Sequence, residues 1–324
     1  MRIFKVIGLF GLFLLAVFFT TAIGPRFGCD IDDLPFIASG ETSVGVYGGS
    51  TPFDLVPAGE TVNPAIQPDE VSDLPACRVS DPFMVYQQGL WHMFFEVVHA
   101  RTNQSDIGFA TSGNGYHWSY QRIVLDETFD LSYPCVCEWK GEYYMVPEAR
   151  GTSDVFLYKA SPFPSDWTRM TAIINENAIA PTLFAYHDTC WMFLGTEDHA
   201  TLKLYYAADV FGPWMRHPQS PVILFDSSMA TPAGRVIQYD GRLYRFALDC
   251  SSDGGNGVRV FEISELTGTT FREVEIPESP ILSGSGEDWN ADRMEHIDLH
   301  QLDNGSWIAC VDGTKGKLQI GLKY

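Results

Sequence analysis

Positive charge is what this chain has least of. Lysine and arginine total 21 against 41 acidic residues, a net charge of −20 over 324 residues. A surface so negative repels phosphate backbones, which argues against nucleic acid as a partner. It suits cations, or neutral polyhydroxy ligands whose hydroxyls donate to carboxylates. The chain also lacks a phosphate loop, an H-E-x-x-H pair and a G-x-S-x-G elbow, so the common nucleotide, zinc-protease and serine-hydrolase signatures are missing. Cysteine is sparse and odd in number: residues 29, 77, 135, 137, 190, 250 and 310. That set is compatible with one to three disulfides in an oxidising compartment and leaves at least one thiol over. Cys135 and Cys137 sit two apart in a strand-like run and read as core thiols before they read as metal ligands.

Charge is absent altogether from Val6 to Ile23, which follow Arg2 and Lys5. The run is long enough to cross a bilayer, and the basic residues before it favour a cytoplasmic N-terminus. A cleaved signal peptide has the same outline. The length of the run and the closeness of Pro25 favour an uncleaved anchor. Either way the body of the protein is expected outside the cytoplasm, membrane-anchored and extracytoplasmic or luminal.

What the chain does have is aromatic residues, 14% of the total, with glycine and proline spread evenly between them. That mix suits an all-β protein with many tight turns. The stretch "DPFMVYQQGLWHMFFE", 81–96, shows the unit: an alternating strand, a turn, and a second aromatic strand ending in an acid. Versions of it recur at 133–148, 180–197, 231–249 and 297–312, the last without the proline. Pro82, Pro134, Pro181 and Pro232 are separated by 52, 47 and 51 residues. A third strand follows each hairpin ("IGFATS", "VFLYKA", "LKLYYAAD", "VRVFEI", "LQIGLKY"), and Trp118, Trp167, Trp214 and Phe271 follow the first four of these.

Four short antiparallel strands repeating every 50 residues or so predict propeller blades. The expected fold is an all-β, five-bladed β-propeller preceded by a transmembrane or signal segment: residues 1–24 as anchor, 25–40 as tether, 41–324 as propeller. Blade five ends after three strands, so "TSVGVYGGSTPFDL" before the first repeat is the expected donor of its outer strand, closing the ring and removing two exposed sheet edges.

In such a blade the first strand lines the channel and the second runs back beside it. Asp81, Glu96, Glu148, Glu197, Asp249, Asp298 and Asp312 are therefore expected around one mouth. Carboxylates gathered there repel unless cations, arginines or ligand hydroxyls offset them, and Arg235, then Arg150, are the internal partners at hand. Any single acid reads first as a cap on turn amides. As pairs they could perform acid–base work on a glycosidic bond, for which an inverting mechanism needs roughly 6.5–9.5 Å between carboxyl groups. The residues chosen for catalysis are Asp81 as base and Glu148 as acid, with Glu96, Tyr133, Glu197, Arg235 and Asp249 contacting substrate. "HIDLH" puts His296, Asp298 and His300 on one face of a channel strand, where they could hold a divalent metal or simply hydrogen-bond to rim acids.

The blocks "VGVYGGSTPFDL", "DPFMVYQQGLWHMFFEV", "YPCVCEWKGEYYMVPE", "LYYAADVFGPWMRHPQSP", "PAGRVIQYDGRLYRFALDC" and "WIACVDG" together resemble the N-terminal domain of glucosamine inositolphosphorylceramide transferases, over roughly residues 40–313. The resemblance implies a membrane-anchored propeller in glycolipid metabolism, with sugar transfer carried by a separate glycosyltransferase domain. More distantly the pattern is similar to five-bladed furanosidase-type glycoside hydrolases. That resemblance implies acids at the starts of blades one, two and three and a blade-five histidine near a channel metal ion. Asp81 matches the first acid, whereas Tyr133-Pro134 and Ala180-Pro181 stand at the other two positions. Two functions follow: a membrane-tethered propeller acting on or binding glycans at its acidic mouth, or a non-catalytic sugar-recognition or scaffold domain that partners a separate glycosyltransferase.

Overall fold

The computed structural model describes residues 37–251 and 257–319. Five antiparallel sheets stand around a common axis. Blade 1 runs Ala76–Gln87, Leu90–His99, Ser105–Ser112 and Ser119–Leu125; blade 2 runs Leu131–Trp139, Glu142–Ala149, Val155–Ala160 and Trp167–Ile174. Blade 3 runs Ile179–Tyr186, Thr189–Gly195, Leu202–Ala207 and Met215–Arg216. In blade 4 two short pieces, Thr231–Pro232 and Ile237–Tyr239, share the place of the first strand beside Arg242–Leu248, followed by Gly257–Leu266 and Phe271–Glu275. First strands of neighbouring blades meet at this axis.

Blade 5 closes the ring differently from the sequence expectation. Ile297–Gln301 and Trp307–Gln319 are its first two strands, but the third is the N-terminal Ile37–Gly49 and the fourth Val56–Pro57. Leu318 and Gln319, expected to begin a third strand, instead continue the second, facing Ala38 and Ile37. The donor segment was the right one and its place was off by one strand. Its ladder begins at Ile37, inside the stretch read as tether. The physical reason is pairing length: thirteen consecutive pairs satisfy both backbones without a turn, which a short hairpin at the C-terminus would not. The apolar run Val6–Ile23 lies outside the described residues; among those described, no helix is long and apolar enough to cross a membrane.

The core is five cores, one at each junction between blades. Phe94, Phe109, Val136 and Met145 join blades 1 and 2; Val146, Leu157, Leu183 and Met192 join 2 and 3; Phe193, Leu204, Val236 and Leu243 join 3 and 4. Phe246, Val260, Leu299 and Ala309 join 4 and 5; Val46, Ile308, Met93 and Phe95 join 5 and 1. Each side chain of this size buried from water contributes roughly 1.5–3 kcal/mol, so each junction is a substantial hydrophobic interface. The tryptophans after the third strands share one task. The indole N–H groups of Trp118, Trp167 and Trp214 donate to the carbonyls of Gly115, Pro164 and Val210, tying down the outer turn of each blade. Among the described residues Cys135, Cys137, Cys190, Cys250 and Cys310 are free thiols, so the one to three disulfides that the count allowed are not formed among them.

Candidate functional site at the channel mouth

In blades 1, 2 and 3 the first strand carries a bulge at the residue before proline. Asp81, Tyr133 and Ala180 occupy it with φ of 51°, 46° and 47°. The left-handed turn aims each backbone N–H at the neighbouring blade, and a carboxylate receives it there. Asp312 Oδ2 accepts from Asp81 N at 3.1 Å, Asp81 Oδ2 from Tyr133 N at 3.3 Å, and Glu148 Oε2 from Ala180 N at 2.8 Å. The strain of a non-glycine residue in this region, about 1–3 kcal/mol each, persists only where surroundings impose it. Here blade-to-blade hydrogen bonds impose it.

The second strands of blades 1 and 2 deliver Glu96 and Glu148 opposite Ser80 and Ser132. Glu96 is 2% exposed and accepts from the Ser80 hydroxyl at 2.6 Å, with Arg150 at 3.5 Å and Arg78 at 4.0 Å. Burial pushes its carboxyl up, but Arg150, Arg78 and the Ser80 hydroxyl act together against burial, and it lies below the usual range. Arg150 Nε also donates to Glu148 Oε1 at 3.0 Å. Both oxygens of Glu148 thus act as acceptors.

Asp81 is the opposite case. Burial, then repulsion from Glu96, Asp312 and Glu148, pushes it well above the ordinary carboxylate range, against the pull of Arg150. Asp312 is pushed up to about 6 by burial and by Glu295, although it accepts from the amides of Glu295, His296 and Asp81. Arg78 Nε, Glu96 Oε1, Ser132 Oγ and His296 Nδ1 are buried polar atoms with no hydrogen-bond partner in the structure. Such atoms are costly to bury without a hydrogen bond.

Below the mouth, side chains of several blades are joined by hydrogen bonds. Gly234 N donates to the Tyr133 hydroxyl at 2.8 Å, which donates to Thr182 Oγ1 at 2.8 Å, and Thr182 donates to the Ala180 carbonyl at 3.0 Å. The relay runs from blade 4 through blade 2 to blade 3. The Tyr133 ring packs edge-on against Phe83 and His296. Deeper still, Arg235 grips Asp298 through two nitrogens at 2.7 and 3.2 Å and donates to the carbonyls of Val136 and Met84. Asp298 also accepts from the Met84 amide at 2.6 Å. Burial alone would raise Asp298, but Arg235 and then His300 hold it well below the usual range. One guanidinium therefore joins blades 1, 2, 4 and 5.

Of the seven acids expected at one mouth, Asp81, Glu96, Glu148 and Asp312 converge. Asp298 does not: it is fully buried, paired to Arg235. Glu197 and Asp249 stand away from the four on loops. The ladder equivalent of Glu96 and Glu148 in blade 3 is Gly195, opposite Ile179, and Glu197 lies two residues on, exposed, accepting from Asn177. In blade 4 Leu248 pairs with Thr231, so Asp249 falls one residue past the ladder, where it accepts from Ser251 N and lies 3.9 Å from Arg259. A one-residue slip reverses the face. Tyr133 and Arg235 lie beneath the mouth among these hydrogen bonds, Tyr133 only 3% exposed. His296 and His300 take separate partners. His296 Nε2 donates to the Pro82 carbonyl and His300 Nε2 to Asp298, and among the described residues no group of three or more His, Cys, Asp or Glu side chains is arranged to hold a metal ion. Arg78 was missed from the sequence; its alternation with Ser80 on one strand was the available signal.

Residues 37–314 match the family described as "Glucosamine inositolphosphorylceramide transferase 1, N-terminal". The chain belongs to this family. It is 34% identical over 300 residues to glucosamine inositolphosphorylceramide transferase 1 of Oryza sativa subsp. japonica, covering 85% of this chain and 40% of the rice protein. The Arabidopsis thaliana protein of the same name is 33% identical over 311 residues, covering 89% of this chain and again 40% of the relative. The family match thus spans well under half of those relatives. Among solved structures, a putative glycoside hydrolase from Parabacteroides distasonis superposes with a TM-score of 0.59 at 13% identity, covering 81% of this chain and 96% of that one. The catalytic domain of the Coprinopsis cinerea GH62 α-L-arabinofuranosidase gives 0.55 at 15% identity, covering 73% and 90%. At these identities the likeness establishes the five-bladed fold.

Proposed function

We propose that this member of the family is a membrane-tethered, extracytoplasmic carbohydrate-active propeller that takes a glycan, most fittingly a glycolipid headgroup, at its acidic mouth. The observation that carries this reading is the cluster of Asp81, Glu96, Glu148 and Asp312 interleaved with Arg78 and Arg150, with four buried polar atoms in and around it that make no hydrogen bond. Alternating acceptors and donors at close quarters suit sugar hydroxyls, which both donate and accept. The relatives' name, which joins a sugar to an inositol sphingolipid, supports the same substrate class.

If the mouth is catalytic, the hydrogen bonding favours roles opposite to those expected from the sequence. Asp81, whose carboxyl is pushed well above the ordinary range by burial and by its acidic neighbours, is the better placed of the two to act as general acid. Glu148, an acceptor at both oxygens, is the base. A recognition role without turnover is the second reading, favoured by Tyr133 and Ala180 at the bulges of blades 2 and 3, where Asp81 has no carboxylate counterpart. The deciding experiment is a glycan-array and hydrolysis screen, including inositol glycolipids, of the chain and its Asp81→Asn and Glu148→Gln variants. Turnover lost in both variants supports the enzyme. Binding without turnover supports recognition, and a separate glycosyltransferase is then the partner to seek by co-purification. No glycan bound or cleaved ends the reading.

A further inference from the structure

The ladder that closes blade 5 also tells on which side of the disc the described chain begins. Val44 faces Asp312, and Asp312 holds the Asp81 amide at the mouth. Seven more pairs, from Ser43–Gly313 to Ile37–Gln319, lie beyond that point on the mouth side of the disc. At about 3.3 Å per residue they carry the ribbon roughly 20 Å outward. The ribbon is held in place: Thr42 and Thr314 share a hydroxyl hydrogen bond, Thr314 exchanges backbone bonds with the 292–293 segment, and the Asp292 carboxylate accepts from Gly316 N. The described chain therefore begins on the mouth side.

A second, independent feature lies on that side. In blade 3, Ile179, Gly195, Leu202 and Ile223 form one row at the mouth end, next to Ala180 and its bond to Glu148. Leu224 and Phe225 come directly past this row, 53% and 88% exposed. Phe225 has φ of 59°, a conformation unfavourable for a bulky residue. The turn is nonetheless pinned, since Asp226 N donates to the Ala200 carbonyl and Asp226 Oδ1 accepts from both Ser228 N and its hydroxyl. A strained, braced turn holds two large apolar side chains out in water. Strain of this kind is kept where it serves contact.

We propose that the mouth side of the disc faces the bilayer, with Leu224 and Phe225 seated in the lipid interface, so that the mouth receives sugars borne by membrane lipids. This rests on the reading of residues 6–23 as a membrane anchor. Residues 24–36 span at most about 45 Å when extended, which keeps the mouth near the surface. The lipid surface is zwitterionic, because a chain of net charge −20 is repelled by anionic headgroups. The hydrogen-bonded Tyr133 and Arg235 lie beneath the mouth, which favours entry of a glycan from the membrane side.

The test uses the full chain reconstituted in phosphatidylcholine vesicles, with an environment-sensitive fluorescent amino acid at position 225 or at position 88, the exposed hairpin turn on the opposite face. Flotation with the vesicles reports the anchor. Lipids spin-labelled at shallow depth are expected to quench the probe at 225 several-fold more than the probe at 88. Quenching equal at both, stronger at 88, or absent from both in floating vesicles overturns the orientation and leaves the anchor and the glycan reading standing. A chain that does not float overturns the anchor and the orientation together, while glycan binding is measured separately.

Discussion

Asp81 joins three jobs in one side chain. It is strained at the backbone, it caps Tyr133, and it sits among like charges. A carboxyl whose folded-state value is raised adds stability below its unfolded value, and that stability is lost as pH rises through the folded value. The thermal midpoint should therefore fall as pH climbs above the ordinary carboxylate range, with Asp312, at about 6, contributing across pH 4–6. Asp81→Asn keeps an oxygen for Tyr133 N and removes the charge. It should be more stable than the parent at neutral pH, by about 1 kcal/mol, and should flatten the pH slope; thermal melts from pH 4 to 8 measure both. A steeper slope or a lower midpoint at neutral pH would contradict the assignment. Arg235 gives the opposite result: Arg235→Met strands a fully buried Asp298 and should cost about 3–5 kcal/mol, with Asp298→Asn in the same chain restoring part of it, read by denaturant unfolding.

The element that decides closure is the strand Ile37–Gly49. Without it blade 5 keeps two strands, the blade 5–1 core loses Val44 and Val46, and Trp307–Gln319 becomes an open edge. Removing residues 1–49 should give aggregated material without a cooperative melt, whereas removing residues 1–36 should leave the melt unchanged; differential scanning fluorimetry and size exclusion separate the two. Gly234 plays a smaller part of the same kind. With φ of 143°, its absent Cβ would stand 1.7 Å from the Ile297 carbonyl oxygen, so blades 4 and 5 meet only because that position is glycine. Blade spacing was legible in the sequence because prolines and aromatics repeat. Which strand Ile37–Gly49 would form was not, since pairing partners 270 or so residues apart leave no local mark.

At the scale of the molecule, charge opposes what the five cores build. Buried pairs such as Arg245–Glu273 offset part of it, but the net charge of −20 remains. Added salt screens this self-repulsion within a Debye length of about 10 Å at 0.1 M, so the thermal midpoint should rise with sodium chloride. A midpoint that falls would mean that attraction within the ion pairs outweighs the net repulsion.

The sequence by itself determined the repeat, hence the number of blades, and the residue types that could meet at the mouth. Periodicity and turn chemistry are local, and both are written in neighbouring residues. Only the tertiary structure decided which acids meet. A ladder register places Glu96 and Glu148 at the mouth but leaves Glu197 and Asp249 outside, and Asp298 is claimed by an arginine from another blade. The raised carboxyl of Asp81 is likewise a property of the closed ring, because the acids that repel it include Asp312 and Glu148, one from each flanking blade.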